Sequence, residues 1–289
     1  MKSHSSTSFD APMGAVHLSD ADQTDIISTA HALADAARAV ILPLFRRRDL
    51  ILENKDAADF DPVTAADRAA EAAMRALLAK HRPNDGIEGE EEGPHPGTSG
   101  LTWVLDPIDG TRGFIAGTPT WGVLIAVCDD TGPLYGIIDQ PYIGERFEGG
   151  FGRATWAGPR GAKGDLGVSA TTQLSNATLF TTFPEMGTPA ERAGFEAVRD
   201  RVRLTRYGMD CYAYALLAAG HIDVVIEAGL QSYDIAAPIA VIKAAGGIIT
   251  NWMGGPAHHG GQVVAAATPA LHRAALAHLR HVACTCVMV

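Results

Sequence analysis

The sequence predicts a mixed α/β (α+β) fold, and three observations carry that reading. Two alanine-rich stretches near the start space their apolar residues as helices do, a long middle section reads as strands, and from residue 188 helices and strands alternate. The first helix opens at Ser19 or Asp20 and runs through Ile26, Ile27, Ala30, Leu33, Ala34, Ala37, Ile41 and Leu42, with Pro43 marking its end or a kink. Arg46-Arg47-Arg48 follows as a solvated helix end that complements the dipole. Residues 1–18, Ser-rich and without periodicity, are expected to be a disordered tail.

A short strand at Leu50 to Glu53 leads into a polar, punctuated segment, Asn54 to Pro62, that reads as a mobile loop. Val63-Thr64-Ala65-Ala66-Asp67 opens a second helix that ends near His81-Arg82-Pro83; Thr64 is its expected N-cap, which puts Asp67 in the first turn. Strands are expected at Thr120 to Val127, Leu134 to Gln140, Glu145 to Gly150, Ala154 to Ala157, Gly167 to Ser169 and Thr178 to Phe183, mostly antiparallel. After Thr188 come a helix over Ala190 to Asp200, a strand Val202 to Thr205, a helix Cys211 to Ala219 and a strand Asp223 to Glu227. An apolar helix Asp234 to Ala244 closes on Gly246-Gly247, and strands Gly247 to Thr250 and Gln262 to Ala266 with a helix Pro269 to His281 complete the chain. The change of pattern near residue 185 divides an α+β domain, 19–185, from an α/β domain, 186–289.

The 289 residues are 47% hydrophobic and 19% charged, as in a soluble globular protein with a substantial core. A net charge of −10 argues against a nucleic-acid surface, although an acidic protein can still hold phosphate through metal ions. Cys128, Cys211, Cys284 and Cys286 form no CxxC pair and match no zinc-site spacing, so a reducing cytoplasm is the simplest compartment. No apolar run approaches the ~20 residues of a membrane span, and Met1 to Asp10 lacks a signal-peptide core. The terminal Cys286-Val287-Met288-Val289 has no upstream basic residues and ends in Val, so it reads as a chance match to a prenylation box.

The stretch with chemical character is Trp103-Val104-Leu105-Asp106-Pro107-Ile108-Asp109-Gly110-Thr111-Arg112. An apolar strand end delivers two carboxylates into a turn stiffened by Pro107 and relaxed by Gly110. Such a turn suits a hard cation and a phosphate together, although a lone D-P-x-D-G is usually an ordinary turn. Other acids stand out by context: Asp67 at a helix start, Glu90 in Gly89-Glu90-Glu91-Glu92-Gly93, and Asp234 at the start of the late helix. Each alone is more often structural.

In order and spacing these motifs resemble the inositol-monophosphatase-like family of magnesium-dependent phosphatases. The resemblance rests on Val63-Thr64-Ala65-Ala66-Asp67, Gly89-Glu90-Glu91, Asp106-Pro107-Ile108-Asp109-Gly110-Thr111 and Tyr233-Asp234-Ile235-Ala236-Ala237, and it covers about residues 25–270. It implies a layered αβαβα sandwich, a homodimer and a phosphate-ester substrate. By the same resemblance two or three Mg2+ ions are held by Glu90, Asp106, Asp109, Asp234 and the backbone carbonyl of Ile108. Most of these ligands fall in the first domain, and the second completes the site. Thr111, partnered by Asp67, matches the position whose hydroxyl orients the attacking water, and Gly110 and Thr111 would hold the phosphate with their N–H groups. Lys55 matches a lysine of the family's mobile loop.

Departures from the family's inositol pattern bear on the substrate. Inositol-directed members read D-G-T-x-N-F, where this chain reads Asp109-Gly110-Thr111-Arg112-Gly113-Phe114, and their small Gly-Ser/Thr-Ala segment is here Gly208-Met209-Asp210-Cys211-Tyr212-Ala213-Tyr214. With Trp121-Gly122 and Tyr233, these resemble the histidinol-phosphate phosphatase branch. Asp210, Glu227 and Arg112 are the expected substrate contacts: two acids suit a ligand bearing an amine and an imidazole. Asp210 as an N-cap of the helix from Cys211, and Glu227 as an exposed strand end, are the competing structural readings. An inositol-1-phosphate or broad sugar-phosphate phosphatase is the alternative enzyme, and a non-catalytic metal- or phosphate-binding protein the remote one.

Overall fold

The computed structural model describes residues 15–48, 52–54 and 62–286. A capping box starts α1 (Asp20–Ile41): the Ser19 hydroxyl accepts from the Asp22 N–H at 3.2 Å, and the Asp22 carboxylate accepts from the Ser19 N–H at 3.0 Å. β1 (Leu52–Asn54) and β2 (Pro62–Thr64) pair antiparallel ahead of α2 (Ala65–His81). A seven-stranded sheet follows in chain order: β3 (Gly86–Gly89), β4 (Thr102–Asp109), β5 (Gly122–Asp129), β6 (Gly132–Gln140), β7 (Glu145–Gly150), β8 (Arg153–Ala157) and β9 (Lys163–Asp165). All its neighbours run antiparallel except β3 and β4. The short α3 (Thr111–Ala116) leaves the end of β4.

The second half builds a five-stranded sheet from β10 (Thr178–Thr181), β11 (Leu204–Tyr207), β12 (Val224–Leu230), β13 (Ile248–Asn251) and β14 (Gly261–Ala266), in the order β11-β10-β12-β14-β13. Its helices are α4 (Pro189–Arg199), α5 (Tyr212–Ala218), α6 (Ser232–Ala244) and α7 (Pro269–Cys286).

Side-chain parity explains the layering. Along β5, Val123, Ile125 and Val127 pack with α1 and α2, whereas Leu124 and Ala126 face α5 and α6. On β14, Val263 and Ala265 face that same middle helical layer, and Val264 and Ala266 face α4 and α7. The result is the layered αβαβα sandwich. α6 is its centre: Ile235 to Ile242 are all buried, the pattern of a helix covered on every side. It reaches the sheet because two glycines let it. A Cβ on Gly136 would stand 2.7 Å from the Ala237 carbonyl oxygen, and one on Gly149 would stand 2.5 Å from the Val241 Cα.

Several expectations change. Val16 and Leu18 pack on the first core and the Val16 N–H donates to Asp129 at 3.1 Å, so the expected tail does not extend to residue 18. Gly86–Gly89 is a strand that no alternation announced; parallel pairing to β4 makes it one. Gly167-Val168-Ser169 is not a strand, and Lys163–Asp165 takes its place at the sheet edge. The strand expected to reach Phe183 stops at Thr181, because the Thr182 N–H is spent on Glu227 at 2.7 Å.

Asp139 is the tie between the outer helices and the sheet. Fully buried on β6, it accepts from Arg38 of α1 at 2.7 and 3.2 Å and from Arg146 of β7 at 2.7 Å. Asp139→Ala leaves two guanidinium groups without their buried acceptor and is expected to lower the unfolding free energy by about 3 kcal/mol in a urea titration. A loss below about 1 kcal/mol would mean the cluster contributes little.

Candidate active site

The site grows from the end of β4. Period two puts Asp106 on the same face as Val104, toward α6, while Trp103 and Leu105 face the outer core. The β4–β5 register slips between Asp106 and Asp109, and this bulge turns Asp109 toward the same place. Asp234, third residue of α6, comes to meet them after its carboxylate accepts from the Gln231 N–H at 2.6 Å. One carboxylate oxygen each of Asp106, Asp109 and Asp234 lies within 4.8 Å of the others. Glu90 is outside that tight group but adjoins Asp106.

Such crowding is electrostatically unfavourable without a cation. Burial pushes the Asp106 carboxyl well above the ordinary range, and the charges of Glu90, Asp109 and Asp234 add to the effect. Asp109 is likewise raised, first by burial and then by Asp210 and Asp234, against the Cys211 N–H that donates to it at 2.6 Å. Asp106 Oδ1 is buried and has no hydrogen-bond partner among the described residues. An orphaned carboxylate oxygen among like charges fits a bound cation, and a donor set of carboxylates and one carbonyl suits a hard one.

The acid loop is positioned by a residue that sequence reasoning missed. Glu71 of α2, fully buried, accepts from the Glu91 and Glu92 N–H groups at 2.8 and 3.0 Å and from Arg75 at 2.8 Å. A Cβ on Gly89 would stand 2.2 Å from Glu71 Oε1, so the glycine is what lets Glu71 grip the loop beside Glu90. The Glu71/Arg75 pair at helical spacing was visible in the sequence; its burial was not.

Thr111 begins α3. Its hydroxyl donates to the Ile108 carbonyl at 3.1 Å and, more distantly, to Asp67 at 3.4 Å, so its single hydrogen has two competing acceptors. Asp67 is fully buried. Gly110 is left-handed at φ +83°, and a Cβ there would stand 2.6 Å from the Asp210 Cγ. The glycine thus brings Asp210 against the turn. Lys55 lies outside the described residues.

Both structural readings of the substrate acids fail. The helix after Asp210 starts at Tyr212, Asp210 itself has φ +47°, and its carboxylate accepts from the Thr120 hydroxyl at 3.3 Å rather than capping. Burial raises its pKa against that hydrogen bond. Glu227 is buried, not exposed, and accepts from the Thr181 hydroxyl at 3.0 Å and the Thr182 N–H at 2.7 Å. Arg112 is exposed, with its guanidinium 5.1 Å from the centroid of Phe183. A cavity of about 280 Å³ joins Asp109 to Arg112, Asp234, Asp210, Glu227, Phe183 and Tyr214. Phe183 and Tyr214 are further lining residues the sequence did not single out.

Residues 22–283 match the inositol monophosphatase family. The chain belongs to that family. It is 43% identical over 239 residues to the bifunctional phosphatase IMPL2, chloroplastic, of Arabidopsis thaliana, covering 82% of this chain and 67% of that one. It is 37% identical over 244 residues to the histidinol-phosphatase of Mycobacterium tuberculosis, covering 83% and 93%. Among solved structures, an inositol monophosphatase from Zymomonas mobilis superimposes with a TM-score of 0.78 at 40% identity, over 89% of this chain and 98% of that one. The protein is therefore a phosphoric monoester hydrolase of a metal-dependent family. Among the described residues, no helix is long and apolar enough to cross a membrane.

Glu227 carries a pH signature. Burial raises its pKa from 4.5 to about 7, against the Thr181 and Thr182 hydrogen bonds. The folded state therefore holds a proton that the unfolded chain releases, a contribution present below pH 4.5 and lost as pH rises to about 7. In the metal-free protein, Glu227→Gln is expected to remove on the order of 3 kcal/mol of that decline. Parallel stability–pH curves for the two proteins would rule the shift out.

Proposed function

We propose that the protein is a magnesium-dependent phosphomonoesterase that hydrolyses L-histidinol phosphate to L-histidinol and inorganic phosphate, a step of histidine biosynthesis. The observation that carries the substrate choice is the pair of acids, half-buried Asp210 and buried Glu227, on the cavity that also holds the Asp109 turn. A neutral polyol has no charge to offset two acids set into the cavity wall, whereas an ammonium group and an imidazole offset both through charge-assisted hydrogen bonds. The similarity to the M. tuberculosis histidinol-phosphatase supports the same reading.

In this reading Glu90, Asp106, Asp109, Asp234 and the Ile108 carbonyl hold Mg2+, two to three ions per site. When bound, the metal supplies positive charge toward the phosphate and an acidified water. The chain's own residues do the rest. Thr111, its hydroxyl shared between Ile108 and Asp67, orients the attacking water, and Glu90 assists in holding it. The N–H groups of Gly110 and Thr111 bind the phosphate, whose departing ester oxygen takes up a proton as histidinol. Arg112 stands at the mouth, where its place on Phe183 lets it neutralise the phosphate or steady Asp210.

An inositol-1-phosphate phosphatase is the second reading, favoured by the likeness to the Zymomonas mobilis inositol monophosphatase. Phosphate release with magnesium on both esters separates the two. The expected result is a kcat/KM for histidinol phosphate at least about tenfold higher; a preference for the inositol ester would overturn the substrate assignment. Asp210→Ala is expected to cost histidinol phosphate about 1.5–3 kcal/mol of transition-state binding while an uncharged ester such as glycerol phosphate loses far less. Equal losses on both would reduce Asp210 to a support for the Gly110 turn.

A further inference from the structure

Tyr214 lies on α5 and is 4% exposed, yet its hydroxyl has no hydrogen-bond partner among the described residues. The other buried or half-buried tyrosines nearby are not like this. Tyr212 donates to Glu145 at 2.7 Å, and Tyr135 donates to Glu148. Leaving a buried hydroxyl unsatisfied costs stability, so an orphan of this kind calls for an explanation. Tyr214 lines the same cavity as Asp210 and Glu227. Glu227, on the same cavity, accepts from Thr181 and Thr182 and makes no hydrogen bond to Tyr214.

The chemistry of the lining shows what the hydroxyl can add. Facing a cationic ammonium group, Asp210 and Glu227 are held in their ionised forms, which only accept hydrogen bonds and so suit that ammonium group and an imidazole N–H. A neutral imidazole also presents one bare nitrogen, which an ionised carboxylate cannot serve. Tyr214 supplies an O–H on the same wall. Resting on the histidinol phosphate reading above, we propose that Tyr214 donates its hydroxyl hydrogen to the acceptor nitrogen of the substrate's imidazole and so sets specificity for that ring. The group stays unpaired in the free protein because its partner is the ligand. A site built this way discriminates strongly against an analogue that lacks the matching atom.

The test is a two-by-two cycle. Wild type and Tyr214→Phe are each assayed with magnesium on L-histidinol phosphate and on its pyrrole analogue, in which the acceptor nitrogen is replaced by CH and the N–H is kept. Wild type is expected to lose about tenfold or more in kcat/KM on going to the pyrrole. Tyr214→Phe should lose a similar factor on histidinol phosphate and at most about twofold on the pyrrole, so that the two losses do not add. Thermal unfolding of the variant should be unchanged or slightly higher, since it removes an unpaired polar group. Additive losses, or equal losses on both esters, would make Tyr214 a wall residue and overturn the proposal. If Tyr214→Phe fails to fold, the wild-type comparison still decides: indifference to the ring nitrogen overturns the proposal, and the expected loss supports it. A wild type that prefers inositol-1-phosphate would defeat the substrate reading itself, and Tyr214's role with it.

Discussion

Four carboxylates from three separate segments are forced together at the end of β4, and most of the architecture serves that crowding. Asp106 and Asp109 arrive on a bulged strand end, Asp234 on the first turn of a central helix, and Glu90 on a loop that Glu71 grips from below. Burial first, and repulsion among these like charges second, raise the pKa values of Asp106 and Asp109. A fold that holds them there against that repulsion, leaving Asp106 Oδ1 with no partner among the described residues, is organised for a cation. Membership of a metal-dependent phosphatase family gives the arrangement its chemical purpose.

The means of holding them is packing. α6 is clamped between the two sheets, and Gly136 and Gly149 let its backbone sit directly on β6 and β7. That seat fixes where Asp234 stands. The turn at Gly110 has no room for a side chain because Asp210 presses against it, so the carboxylate cluster and the Asp210 side of the cavity share one backbone contact. A change at either end is therefore felt at the other, and selectivity between esters, rather than activity alone, is the informative readout for this site.

Much of this was legible in the sequence, and the exceptions have physical reasons. The Ser19 cap, the start of α2 and the limits of β7 follow from capping chemistry, helical spacing and alternation, which are local properties. The Asp106 to Thr111 turn was legible because its residue types are demanded by one chemistry. β3 was not, since Gly-Ile-Glu-Gly has no strand pattern and becomes a strand only by pairing with β4. Glu71 and Tyr214 share a different cause. Their significance lies in being buried where distant segments meet, Glu71 under the acid loop and Tyr214 on the cavity wall, and no spacing rule encodes that. Asp210 and Glu227 were named as substrate contacts from the resemblance, and the competing cap for Asp210 is excluded only by its left-handed backbone, which sets it against Gly110.

The account stands most directly on the carboxylate cluster needing a cation, and thermal unfolding of wild type and Asp109→Asn titrated with magnesium tests it. Neutralising one of the crowded acids should leave the metal-free variant as stable as wild type or more so. Magnesium at about a hundredfold over its dissociation constant should then stabilise wild type by about 2.7 kcal/mol and the variant by much less. No magnesium response in wild type, or the same response in both proteins, would contradict the assignment of Asp109 and its neighbours to a metal site.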